Sequence, residues 1–449
     1  MLTTYPRLAD VLTSRHPYLF IDESQDTNGD LLDALLAVQN AKQSSFCLGL
    51  FGDTMQRIYN DGKVNLSGAL GKDWLKPAKK MNHRSKNRIV KLANSIRSET
   101  DTHSQFARSD RDEGLVHLFL ADSSMPVDQV EAYVTKRMAV LSQDELWARP
   151  YGDAEGAISG VKKLILEHRM AARRLGFSDL FDSLVTLQSD RTAFLEGRHP
   201  EVLVFTHELV PLVQAAKLGD EYALMSILRE RSPMLSTEKL NQNSLDGHTT
   251  ADLLTQTNDA VQELTKLWDS GDVPTLFEVA TIVQGTGLFA LPDSVVRALA
   301  FLSQHGTSEI DDSQPWVRIL KCSFAELENY TLYTAGQTEF TTHQGVKGLE
   351  FPRVMVIISD DESKGFMFSY EKLFGAKEST DSDRRNERQG KETSLERTRR
   401  LFYVTCTRAE DSLAVVAYTK APEPVKRLVS DKNWFKVDEI EVVTSDNLA

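Results

Sequence analysis

Tyr18-Leu19-Phe20-Ile21-Asp22-Glu23-Ser24-Gln25-Asp26 decides how this chain is read. A short apolar strand ends abruptly on carboxylates, and the same arrangement then recurs. Periodicity predicts a helix from about Gly29 to Lys42, with Leu31, Leu32, Leu35, Leu36 and Val38 on its apolar side. Phe46-Cys47-Leu48-Gly49-Leu50-Phe51 is a second buried-type strand, ending in the polar turn Gly52-Asp53. Continuous apolar strands alternating with helices predict a parallel α/β sheet. In such sheets ligands bind beyond the carboxyl ends of the strands.

Working outward, Leu115–Leu120 reads as a strand, Val127–Leu141 as a helix and Lys162–Leu166 as a strand, with a helix from Arg169 to Leu175. From about 177 to 335 the chain turns Leu- and Ala-rich and helical in pattern. Val202-Leu203-Val204-Phe205 within it fits a strand or a helix start equally. Strands return at Val354–Ile358 and Ser412–Val416. The charged, apolar-poor stretch 359–395 between them reads as a long mobile loop.

Composition bounds the function. The 449 residues suffice for two or three domains, and 26% charged with 41% hydrophobic residues is ordinary for a globular protein. A net charge of −13 argues against a broadly basic nucleic-acid coat, though not against one basic groove. Cys47, Cys322 and Cys406 are too few and too scattered for a disulfide framework or zinc site, which suits a cytoplasmic location. No apolar run reaches the length needed to span a bilayer, so no membrane partner is expected.

The carboxylates at the first strand's end form a Walker B arrangement. Asp22 would hold Mg²⁺ on phosphates and Glu23 would orient or deprotonate a water. An acidic helix N-terminus is the plainer explanation of the same residues. Gly52-Asp53-Thr54-Met55-Gln56-Arg57-Ile58-Tyr59 places a Gln where it could sense a γ-phosphate and a Tyr where it could stack on a base, or simply forms a turn. Asn82-His83-Arg84-Ser85 sets Arg84 before an amphipathic helix, as a phosphate cation or beside an ordinary Ser85 cap. In Thr342-His343-Gln344-Gly345-Val346-Lys347-Gly348-Leu349-Glu350-Phe351, His343 and Lys347 offer donors to phosphates and Glu350 could accept from a sugar hydroxyl. Arg399–Ala409 is helical and carries Arg408, either an arginine finger or a surface ion pair.

The order of these motifs resembles the UvrD/Rep/PcrA branch of superfamily-one DNA helicases. DESQD is similar to motif II, GDTMQRIY to motif III and NHRS to motif IV. Lys163–His168 with the basic helix after it is similar to motif IVa, THQGVKGLEFPRV to motif V and LFYVTCTRA to motif VI. The helical stretch also resembles the compact helicase-like subunits of Gabija-type phage-defence systems. The resemblance implies two RecA-like P-loop NTPase domains, the first N-terminally incomplete, with a helical insertion in the second. The implied division is 1–100, then 101–176, the 2B-like insertion 177–335, the remainder 336–425 and a C-terminal tail 426–449. ATP and Mg²⁺ are the implied cofactors. Asp22, Glu23, Gln56, Arg84 and Arg408 would be catalytic, with Asp22 the metal ligand. Gln25, Asp53, Glu350 and Gly348 would line the nucleotide site. Tyr59, His168, His343 and Lys347 would meet DNA, with Lys79, Lys80, Lys86, Lys162, Arg169, Arg173 and Arg174 as further basic positions along it. Single-stranded or partly duplex DNA is the implied partner, and a nuclease of the OLD-family type another. The role would be DNA repair or antiviral defence.

One family element is missing from the sequence. No G-x-x-x-x-G-K-[ST] occurs: Gly71-Lys72 is followed by Asp73, and Gly390-Lys391 by Glu392. Twenty-one residues precede Asp22, too few for the strand, loop and helix that carry motif I. Two readings follow: a helicase shortened at its N-terminus, or a pseudo-helicase that binds DNA or a nuclease without hydrolysing ATP. Retention of all five catalytic residue types favours the first. Either way, the 449-residue chain by itself is expected to have little or no ATPase activity.

Overall fold

The computed structural model describes residues 5–58, 61–63, 66–154, 157–187, 191–239, 249–306, 314–363 and 367–448. These divide into two compact units, one formed by residues 1–167 with 341–449 and the other by 168–340.

The α/β unit begins with helix α1 (Pro6–Arg15), strand β1 (Tyr18–Ile21), helix α2 (Gly29–Ala41) and strand β2 (Cys47–Leu50). Asn28 starts α2 by accepting from the backbone N–H groups of Asp30 and Leu31. β1 and β2 pair in parallel, Tyr18 opposite Cys47 and Ile21 opposite Leu50. Ala9, Leu35, Leu36, Val38, Phe46 and Leu48 form their small core. The opposite face of this sheet is open: Tyr18, Phe20 and Phe51 are all exposed. Helix α3 (Asn87–Arg97) follows, with Ile89, Val90, Leu92, Ala93 and Ile96 buried at helical spacing.

The second sheet is larger. Strands β3 (Leu115–Ala121), β4 (Lys162–Ile165), β5 (Phe340–Thr342), β6 (Phe351–Ile358), β7 (Ala409–Tyr418) and β8 (Ile440–Val442) lie in the order β8-β3-β7-β6-β4-β5. The pairings β8–β3, β3–β7, β7–β6 and β6–β4 are parallel. Helix α4 (Val127–Ser142) packs on this sheet through Val130, Val134 and Met138, and helix α5 (Ser394–Cys406) leads into β7. The strands anticipated at 115–120, 162–166, 354–358 and 412–416 all lie in this sheet.

Two expectations give way. The stretch 359–395 contains the helices Tyr370–Leu373 and Asp381–Arg388, so its described part is ordered. Polar groups do the work that apolar periodicity does elsewhere. The Asp360 carboxylate accepts from the Tyr370 and Glu371 N–H groups and the Ser369 hydroxyl, at 2.8–3.1 Å. Asp383 accepts from the Lys372 ammonium at 2.5 Å and from the Ser394 hydroxyl at 2.8 Å. Second, residues 426–449 are more than a tail, because β8 forms an edge of the large sheet.

The other unit is helical, with a separate core that includes Phe177, Phe205, Leu212, Val279, Leu299, Val317 and Phe324. The ambiguous stretch at 202–205 is helical. Helix Pro200–Leu203 runs through a wider π turn at Val204–Leu209 into helix Val210–Leu218. Pro211, which has no N–H to donate, sits at that junction.

Candidate active site

The chain makes a sharp turn at the end of β1. Glu23 takes the left-handed conformation, φ 49° and ψ 39°, which a side chain bearing a Cβ rarely adopts without support. The Asp22 carboxylate accepts from the Glu23 N–H at 2.9 Å, and the Ser24 N–H donates to the Phe51 carbonyl at 2.9 Å. These bonds hold the turn at the end of β2 as well. Asp22 and Glu23 are left exposed, while Ser24 and Gln25 are buried.

Gln25 joins the two strand ends. Its amide nitrogen donates to Glu23 Oε2 at 2.5 Å, and its Oε1 accepts from the Asp53 N–H at 3.1 Å. Asp53 Oδ1 accepts from the Met55 N–H at 3.0 Å, and Oδ2 from Arg97 Nη1 at 2.8 Å. The Gln56 amide and the Tyr403 hydroxyl each reach Asp53 Oδ2 at 3.5 Å. Glu23, Gln25, Asp53 and Gln56 are therefore one connected group, and Arg97 and Tyr403 anchor it from helices α3 and α5.

Lys347, in the loop between β5 and β6, closes the site. Its ammonium donates to Asp26 and lies 2.7 Å from Glu23 Oε2. Burial alone would lower the Lys347 pKa, but Asp26 and Glu23 raise it above the ordinary value. Burial alone would raise that of Glu23, but Lys347 and Gln25 hold it below the usual carboxylate range. The pair is thus charged on both sides. Arg84 donates from Nε to Glu350 Oε2 at 2.5 Å and from Nη1 to the Thr407 carbonyl at 3.2 Å. Arg408 is buried and donates to the Val404 carbonyl at 3.0 Å, the Leu349 carbonyl at 3.3 Å and Thr407 Oγ1 at 3.1 Å. Burial, together with the nearby Arg84 charge, lowers its pKa to about 10. Gly348 takes φ 84°, which lets the loop turn between Lys347 and Glu350.

Several anticipated residues do other work here. The His343 ring is fully buried, Nε2 bonded to the Leu164 carbonyl at 3.1 Å and Nδ1 to the Tyr370 hydroxyl at 3.0 Å. With both nitrogens engaged inside the core, this ring presents nothing to DNA in this arrangement. Lys347 faces carboxylates rather than a basic track. Lys162 is buried, with its ammonium 4.5 Å from the Tyr151 ring centre, so it offers no surface charge. Lys86 pairs with Asp411 at 3.1 Å. Lys79 and Lys80 are exposed. Tyr59 lies outside the described residues. His168, Arg169, Arg173 and Arg174 belong to the helical unit, where His168 Nδ1 meets the Tyr333 hydroxyl at 2.8 Å and Arg169 pairs with Asp182. Asp26, Arg97, Tyr403 and Thr407 were not singled out by sequence reasoning. Asp26 lies within DESQD, and Tyr403 and Thr407 within LFYVTCTRA, whereas Arg97 lies in none of the motifs.

Asp22 and Glu23 are the exposed carboxylates here that could take part in holding a cation. Two exposed carboxylates stand at a strand end, and a lysine ammonium already occupies cation-binding ground between Glu23 and Asp26. Among the described residues no group of three or more His, Cys, Asp or Glu residues is arranged to hold a metal ion. Among them, too, no helix is long and apolar enough to cross a membrane.

Residues 323–420 match the UvrD-like helicase C-terminal domain family. The chain is similar to the Gabija protein GajB of Bacillus cereus (strain HuB5-5), 22% identical over 457 aligned positions that cover 93% of this chain and 60% of that protein. It thus spans less than two thirds of the relative's length. The large parallel sheet fits the family match, and residues 323–420 of this chain are similar to a UvrD-like helicase C-terminal domain.

Proposed function

We propose that this chain is the core of an ATP-driven motor that moves along single-stranded DNA, 3′ to 5′ by its resemblance. The observation that carries the reading is Lys347 bridging Glu23 and Asp26 while Arg84 is bonded to Glu350 beside Arg408. Cations and carboxylates from both parts of the α/β unit face one small volume, as phosphoryl transfer requires. Asp22 would hold Mg²⁺, which supplies charge neutralisation on the phosphates. Glu23 would orient the attacking water, and Gln56, held on Asp53, would read the γ-phosphate. Lys347 would release the carboxylates when a metal–nucleotide pair takes its place. Arg84 and Arg408 would neutralise developing charge.

A second reading has its own observation. The similar protein is a Gabija protein. Under this reading the chain is a subunit that binds DNA or a nuclease in phage defence without hydrolysing ATP. Two assays on the purified chain separate these readings. Mg²⁺-dependent fluorescent-nucleotide binding, weakened in Asp22→Asn, supports the motor, and absence of nucleotide binding even when a Walker A–bearing segment is supplied sinks it. Hydrolysis is expected to be weak in this polypeptide alone and to rise when a Walker A–bearing segment is supplied. Brisk DNA-stimulated hydrolysis by the 449-residue chain would refute that expectation.

A further inference from the structure

Outside the site just described, three guanidinium groups converge on one carboxylate. Glu392 lies between the helix Asp381–Arg388 and α5. It is paired with Arg57 and with Arg400, and Arg397 Nη1 lies 3.8 Å from its Oε2. Arg57 directly follows Gln56 in the turn after β2, and Arg400 Nε donates to the Arg57 carbonyl at 2.8 Å. The other nearby carboxylate, Glu396, is committed to the cap of α5. Its Oε2 accepts from the Thr393 N–H at 2.8 Å and the Thr393 hydroxyl at 3.1 Å. Three guanidinium groups and one uncommitted carboxylate thus meet at this point. Glu392 sits on a stretch with neither helix nor strand, just after Gly390 at φ 64°.

Guanidinium forks recognise carboxylate and phosphate with the same geometry. We infer that Arg57, Arg397 and Arg400 form an anion site for a phosphodiester of single-stranded nucleic acid, and that Glu392 occupies it as a built-in phosphate mimic. A strand would displace Glu392, and the freed segment would swing away from the turn that carries Gln56. This deepens the motor reading by naming one phosphate contact and the carboxylate that guards it. A purely structural clamp is the rival account, since removing one partner of a buried ion pair usually only destabilises.

The test measures binding of a fluorescein-labelled oligothymidylate to the full chain across a potassium chloride series, with inorganic phosphate as competitor in a parallel arm. Glu392→Gln is expected to bind about tenfold tighter at moderate salt. Its log K against log salt slope should steepen by about 0.7, the signature of one added single-strand phosphate. Adding Arg400→Gln should remove both gains, and Glu392→Asp should fall between wild type and Glu392→Gln. Unchanged or weaker binding with an unchanged slope in a folded Glu392→Gln protein overturns the inference. So does a gain seen with inorganic phosphate but not with the oligonucleotide. If wild type and variant alike fail to bind the strand, the motor reading falls with it. If wild type binds and only the gain is missing, the motor reading survives and this inference does not.

Discussion

Gly52 shows how tightly one residue constrains the candidate site. A Cβ there would overlap Gln25 Oε1 and come within 3.2 Å of the Ser24 backbone nitrogen. Gly52→Ala should therefore displace Gln25 and cost about 1–3 kcal/mol, read as a lower urea midpoint. Loss of the Gln25 bridge between Glu23 and Asp53 should accompany it. A midpoint equal to that of wild type would show that the turn has slack. His343 makes a prediction in pH. Burial depresses its pKa from 6.5 to about 4, although its hydrogen bonds to backbone carbonyls oppose the shift. The unfolded chain thus binds the proton first. Stability from the neutral ring is fully present above about pH 6.5 and is lost as pH falls towards 4, by about 3 kcal/mol in all. His117 shifts in the same direction through burial, so the wild-type curve contains both. Comparing urea midpoints of wild type and His343→Gln from pH 7.5 to 4.5 isolates the His343 part. Parallel curves would refute it.

At the scale of elements, the C-terminal strand depends on one buried ion pair. Arg88 on α3 donates from Nε and Nη2 to the two Glu439 oxygens at 2.6 and 2.7 Å, and from Nη2 to the Trp434 carbonyl at 2.7 Å. Removing one partner strands a buried charge, so Glu439→Ala should cost about 3–5 kcal/mol. Hydrogen exchange should then quicken first at Ile440–Val442. If β8 keeps its protection, the pair is not what holds it. Legibility also divides by element. The strands and helices of the large sheet were readable because burial on both faces leaves continuous apolar runs such as Val354–Ile358. β8 was not, because Ile440-Glu441-Val442 is short and its Glu441 serves Tyr133 and Arg137 across the sheet edge. The order within 359–395 escaped for a related reason. It rests on Asp360 and Asp383 accepting several donors each, and a charge pattern does not reveal which donors will converge. In the candidate site, residue types at strand ends were legible, but pairings between distant segments were not. Lys347 on Asp26 and Glu392 on Arg57 join positions that have no regular spacing in sequence.

Taken whole, the molecule divides into two compact units, and the helical one has an apolar core of its own. Cooperativity follows shared core packing, so calorimetry should resolve two transitions rather than one. A stabilising substitution within the helical core should move only one of them. A single transition with equal calorimetric and van't Hoff enthalpies would refute this.

The open face of the β1–β2 sheet has a consequence for how the protein behaves in the tube. Tyr18, Phe20 and Phe51 stand 70, 64 and 54% exposed beside a sheet that has, among the described residues, only the strands β1 and β2. Such a surface is sticky. At low ionic strength the net charge of −13 keeps copies apart. Near 0.1 M salt, where charges are screened beyond about 10 Å, that repulsion fades while apolar attraction does not. Colloidal behaviour should therefore run opposite to that of a charge-paired assembly. Light scattering should grow with added salt, and Phe20→Lys should suppress the growth.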